Sequence, residues 1–218
     1  MLFKKALIGR KGKLQAFLCG VFLNAAGEFG TPDIIPVVGA ADGHLYIFRE
    51  YELVKTVKAH ESFVNTIVAT KSGLLVSGGR DGLVKLWRYA EDILESTHSF
   101  DVRNLKSSLY TRVRAVDVNE SEGRILVGTQ GSEIYEISLV DGANLNGTGA
   151  LIKGHYKSQL WGLSTHPTKP NYATLGDDGV VRIWDAMLFK EIKHLALDTG
   201  GRAIGYDTTG TLIAVGLG

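Results

Sequence analysis

The chain has 218 residues, 44% of them hydrophobic and 22% charged, with a formal net charge of +1. That balance suits an ordinary soluble globular chain able to bury a core, and it excludes a strongly basic nucleic-acid coat. Twenty-seven glycines against four prolines point to many tight turns, and the single cysteine, Cys19, excludes an internal disulfide or a Cys-rich metal site.

The first 13 residues form a basic lead-in: Lys4, Lys5, Arg10, Lys11 and Lys13, with no acidic residue among them. These five are candidate contacts for an acidic polymer, the alternative being a solvated chain end. An apolar stretch, Leu14–Leu23, follows, and then the small residues Ala25, Ala26 and Gly27. The order mimics a signal peptide. Gln15 and Gly20 interrupt the run and no disulfide framework follows, so it reads as a strand. No apolar run is long enough for a membrane span. A reduced, cytoplasmic compartment is expected.

From there the chain repeats itself. Ala40-Ala-Asp42-Gly-His-Leu-Tyr-Ile-Phe48, Gly79-Arg-Asp81-Gly-Leu-Val-Lys-Leu-Trp87 and Gly176-Asp-Asp178-Gly-Val-Val-Arg-Ile-Trp184 share one pattern. Asp-Gly opens an alternating strand that ends in an aromatic residue. Ile125–Ile137 is a degenerate fourth copy. Asp-Gly between alternating runs is a strong hairpin signal, because the turn needs positive φ. An inner strand precedes each hairpin: Leu14–Leu23, Val64–Ala69, Val113–Val118 and Leu160–Thr165. An outer strand follows each: Leu53–Val57, Ile93–Phe100, Ala150–Lys153 and Lys190–Leu197. Four short strands per roughly 40–48 residues is the pattern of a β-propeller blade. Pro36 is disfavoured in a central strand, so the second strand of the first unit is expected to begin at Val37. The organisation expected is a lead-in at 1–13, blades at 14–57, 58–109, 110–152 (degenerate) and 153–197, and a partial blade at 198–218. Four blades and the start of a fifth do not close a ring, which suggests a fragment of a larger propeller or a partner that completes it.

Two units carry a further constellation: His60, Ser77, Asp81, Trp87, and His155, Thr174, Asp178, Trp184. Hydroxyl to Asp is four residues and Asp to Trp six in both. This resembles the WD40 repeat, in which His, Ser/Thr, Asp and Trp form a hydrogen-bonded chain inside each blade. A buried Asp needs donors, and a His and a hydroxyl supply them. The same residue types could form a hydrolase triad, but a set repeated beside a Trp each time reads as structural. No phosphate loop, nucleophile elbow or metal-ligand spacing occurs. No enzymatic activity, cofactor or metal is expected.

The run Leu160-Trp-Gly-Leu-Ser-Thr-His-Pro167 and the segment Gly123–Ile137 extend the likeness. With residues 58–87, they resemble the echinoderm microtubule-associated protein-like family over about residues 4–218. The resemblance implies a WD40 scaffold without enzymatic activity, tubulin or microtubules as partners, and a cytoskeletal location that includes the ciliary axoneme. It also implies further blades or a second propeller outside this chain. A WD40 adaptor in a non-cytoskeletal complex and a propeller enzyme are the rival readings. In the inner strands, Asn65, Arg114, Trp161 and Arg202 break the apolar alternation at equivalent positions. They are the expected partner-facing patch, since Trp and Arg are enriched at interaction hot spots. Packing of Trp161 on a neighbouring blade is the alternative. No nucleic-acid or membrane partner is expected.

Overall fold

A computed structural model describes residues 16–26, 32–49, 52–90, 93–105, 110–147 and 149–218. The basic lead-in, with Lys4, Lys5, Arg10, Lys11 and Lys13, lies outside them, as do Leu14 and Gln15. The chain divides into two compact units, Met1–Leu151 and Ile152–Gly218. Apart from one 3-10 turn, Val102–Leu105, the described elements are strands. No helix among the described residues is long and apolar enough to cross a membrane.

The first unit holds three antiparallel sheets. β1 (Phe17–Ala26), β2 (Pro32–Ala40), β3 (His44–Arg49) and β4 (Glu52–Lys58) pair in sequence order. So do β5 (Val64–Ala69), β6 (Leu74–Gly79), β7 (Leu83–Ala90) and β8 (Ile93–Asp101). In the third sheet β9 (Val113–Asn119), β10 (Arg124–Thr129) and β11 (Glu133–Ser138) follow the same meander.

The middle sheet is packed on both faces. Leu75 and Trp87 face Leu23, Ile35, Val37 and Leu45 of the first sheet. Their neighbours Val76 and Leu86 face Val113, Ile125, Val127 and Tyr135 of the third. Adjacent strand residues point to opposite sides, so a doubly covered strand reads as a continuous apolar run. This is why Leu74–Val76 shows no alternation. Each fully buried Leu or Ile contributes about 2 kcal/mol relative to exposure.

Pro36 departs from expectation. It lies inside β2, opposite Phe22 of β1. The pairing of β2 with β3 spans only Val37–Gly39. Pro36 is therefore beyond the end of that ladder, where β2 has one neighbour and a missing N–H is tolerated. The outer strand expected at Ala150–Lys153 is also shorter: β12 covers Ile152–Lys153.

The second unit starts with β12 and contains β13 (Leu160–Thr165), β14 (Asn171–Gly176), β15 (Val180–Asp185) and β16 (Lys190–Ala196) as a four-stranded sheet. β17 (Gly201–Tyr206) and β18 (Ile213–Leu217) form a two-stranded sheet. The two sheets pack closely: a Cβ on Gly162 would meet the Ile204 side chain at 2.9 Å. The Tyr206 amide donates to Ser164 Oγ at 3.1 Å.

Candidate interaction site

In each of two hairpins, four side chains form one hydrogen-bonded chain. The Trp87 indole N–H donates to Ser77 Oγ at 2.9 Å. Ser77 Oγ lies 2.8 Å from His60 Nε2, and His60 Nδ1 lies 3.0 Å from Asp81 Oδ1. A carboxylate only accepts, so Nδ1 carries the proton and donates to Asp81, while Nε2 and Ser77 Oγ share the other hydrogen bond. Burial would raise the Asp81 carboxyl, but the hydrogen bond and charge of His60, with the Glu61 and Leu83 amides, hold it below the usual carboxylate range. Gly79 makes room for this: a Cβ there would lie 2.3 Å from His60 Nδ1 and 2.4 Å from Asp81 Oδ1.

The second chain repeats the first. Trp184 Nε1 donates to Thr174 Oγ1 at 2.7 Å, His155 Nε2 lies 2.8 Å from Thr174 Oγ1, and His155 Nδ1 lies 2.8 Å from Asp178 Oδ1. Here Arg182, buried to 1% exposure, adds its guanidinium 3.8 Å from Asp178 Oδ2 and bonds Glu191 on β16. Burial again opposes ionisation of Asp178, and His155, the Val180 amide and Arg182 outweigh it. The Asp–His–Ser order is that of a hydrolase triad. Ser77, however, is fully buried and its oxygen is engaged by Trp87. A substrate carbonyl has no approach to it, so the constellation fastens each turn to the loop before it.

The four inner-strand residues share a backbone device. Pairing with the second strand skips one residue at the start of every inner strand: Leu18 in β1, Asn65 in β5, Arg114 in β9, Trp161 in β13 and Arg202 in β17. Each is the extra residue of a β-bulge, which leaves the ladder and re-aims its side chain. Leu18 is absent from the sequence reading because an apolar residue in an apolar run gives no signal.

The bulged residues meet different fates. Asn65 is half-buried and its Nδ2 donates to the Val113 carbonyl at 2.6 Å, tying β5 to β9. Arg114 is exposed. In the second unit Trp161 and Arg202 come together: Arg202 Cζ sits 4.4 Å over the Trp161 ring, which remains 47% exposed. Trp161 thus contacts the neighbouring sheet and still faces solvent. Asp177 joins them, with Oδ1 accepting from Trp161 Nε1 at 2.9 Å and lying 3.2 Å from Arg202 Nη1. The Gln159 amide acts most strongly and burial opposes it next, but with Trp161, Ser158 and Arg202 the balance keeps the Asp177 carboxyl below its usual range. Asp177 immediately precedes the tetrad Asp178. Its counterpart Arg80, before Asp81, lies 5.0 Å over the Phe63 ring. The sequence reading missed both, although their fixed offset from each tetrad Asp was available. Among the described residues no cluster of His, Cys, Asp or Glu could hold a metal ion.

The family model of the WD domain, G-beta repeat (WD40) matches residues 51–88 and 148–185. Each match encloses one complete tetrad. These two stretches are similar to the WD40 repeat. The chain's sheets are blades of an all-β, WD40-type propeller. Over 98% of its length the chain is 28% identical to echinoderm microtubule-associated protein-like 2 of Mus musculus, covering 30% of that protein. It is 29% identical to echinoderm microtubule-associated protein-like 4 of Homo sapiens, with 98% of the chain and 21% of the relative covered. The family resemblance carried by the Trp161–Pro167 run is therefore the one these relatives return, and the chain spans less than a third of their length. Among solved structures, the WD40 β-propeller domain of Doa1 aligns with a TM-score of 0.44 and 21% identity, covering 84% of this chain and 57% of that one.

Proposed function

We propose that this chain is a non-catalytic WD40 scaffold that binds protein partners through its bulged inner-strand residues, and that tubulin or the microtubule is among those partners. The observation that carries the reading is the Trp161–Arg202–Asp177 cluster. It is an exposed aromatic ring with a guanidinium stacked on it, held in place by a shared carboxylate. Such a pre-ordered Trp–Arg pair loses little side-chain freedom on binding, as hot spots require. Arg114, Asn65 and Leu18 extend the same device into the first unit. The microtubule partner, and a cytoskeletal location, are supported by the names of the relatives.

Co-sedimentation with polymerised microtubules at low and high salt, with soluble tubulin as a parallel bait, tests it. Pelleting or capture that Trp161→Ala and Arg202→Ala weaken supports the reading. Binding that disappears at high salt and on neutralising Lys4, Lys5, Arg10, Lys11 and Lys13 assigns the attachment to the basic arm, since screening acts within ~10 Å at ordinary salt. Failure of well-folded protein to bind either form leaves the scaffold with a non-cytoskeletal partner.

A further inference from the structure

The turn between β6 and β7 and the start of β9 lie side by side at one end of the first unit. A Cβ on Gly82 would lie 3.3 Å from the Thr111 carbonyl oxygen, and Asn65 Nδ2 donates to the Val113 carbonyl at 2.6 Å. Three arginines stand next to these contacts in the chain: Arg80, Arg112 and Arg114. Arg112 and Arg114 are exposed and Arg80 is partly buried. None of them is held by a carboxylate. Arg80 Cζ lies 5.0 Å over the Phe63 ring, and Arg112 Nη1 donates to the neutral Gln130 Oε1 at 3.3 Å. Arg114 leaves the ladder at its bulge.

Among the described residues no ion pair reaches any of the three, whereas Arg103, Arg124, Arg182 and Arg202 each have one. The acids nearby are already engaged: Asp81 by His60 and the Glu61 and Leu83 amides, Asp101 by Arg103. Three unpaired guanidiniums thus face solvent beside one exposed carboxylate, Glu61. The second unit balances its charge at the equivalent place. There Asp177 takes the position of Arg80 and pairs with Arg202.

We propose that this end of the first unit docks an acidic polypeptide segment, whose carboxylates pair with Arg80, Arg112 and Arg114. The proposal rests on the reading of the inner-strand bulges as partner-facing and adds the charge of the partner. A guanidinium presents its donors as a planar fork that matches a carboxylate, and it stays charged at any working pH. A polynucleotide fits less well, because it asks for a broad basic surface and the whole chain carries a net charge of only +1.

Fluorescence anisotropy of a labelled oligo-glutamate peptide with this chain, at rising salt, is the test. An oligo-glutamine peptide of the same length is the reference. The glutamate peptide alone is expected to bind, and more weakly as salt screens the charges. Arg80→Gln, Arg112→Gln and Arg114→Gln should each weaken it by roughly two- to fivefold, the effect of losing one surface ion pair. Arg88→Gln removes the same charge at the far end of β7 and should change nothing, with urea midpoints checking that every variant stays folded. A chain that binds neither peptide, or both equally, overturns the proposal. So does an equal loss in Arg88→Gln, tighter binding of an oligonucleotide of equal charge, or binding that survives all three substitutions and vanishes on neutralising Lys4, Lys5, Arg10, Lys11 and Lys13. Trp161 and Arg202 take no part in this assay, so partner capture that still depends on them leaves the scaffold reading standing when this proposal falls.

Discussion

Arg202 sits over the Trp161 ring, its Cζ 4.4 Å from the ring centroid, although 41 positions separate them in the chain. The contact joins two sheets through two bulges, and Asp177 bonds both side chains. Asp177→Ala removes the acceptor shared by the Trp161 indole, Arg202 and the Gln159 amide. Because the cluster is exposed, thermal stability should barely change. Acrylamide quenching of Trp161 should increase, and partner capture should fall as far as in Trp161→Ala.

Ser77→Ala should destabilise the first unit strongly. It leaves the Trp87 indole N–H and His60 Nε2 buried without their partner. At about 1–3 kcal/mol for each unsatisfied buried group, the expected loss is about 3 kcal/mol in urea unfolding. Thr174→Ser should be mild, because the hydroxyl that serves Trp184 and His155 is kept.

Acid should undo the tetrads. The carboxyls of Asp81 and Asp178 are held below their usual value by His60 and His155. A lowered folded value contributes stability that is full above the unfolded pKa and lost as pH falls through the folded one. Denaturation midpoints should therefore drop below about pH 4. Asp81→Asn should weaken the protein at pH 7 and flatten that acid limb.

Ser132 has φ 55° at the turn position that Gly43, Gly82 and Gly179 occupy in the other hairpins. Glycine would relieve the strain while giving back some unfolded-chain entropy. Ser132→Gly should thus stabilise by roughly 0.5–1 kcal/mol, read from the urea midpoint.

Cys19 should be a poor nucleophile. Burial pushes its thiol up to about 11, the Gly39 carbonyl contact notwithstanding. Alkylation by iodoacetamide at pH 8 should be far slower than for an exposed cysteine, and should accelerate on unfolding.

The hairpins were readable because Asp-Gly has one main structural use, and the tetrads because their spacing recurs. Bulges are harder to read, since skipping a residue depends on register with the partner strand. Asn65, Arg114, Trp161 and Arg202 were visible only because polar or aromatic residues interrupt apolar strands, and Leu18 does not. Pro36 misled the reading of β2 because composition does not tell where a neighbouring strand stops. Asp177 was overlooked because the tetrad explains Asp178 and makes its neighbour look redundant. The exposure of Met187–Phe189, between β15 and β16, has no counterpart in the one-dimensional pattern, in which three apolar residues suggest core.

A bulged residue takes no part in the ladder on either side of it. Its side chain can be exchanged for one of another size or charge while the sheet keeps all its hydrogen bonds. With one such position opening each inner strand, the side chains proposed to meet partners can change blade by blade while the machinery that folds the sheets stays untouched.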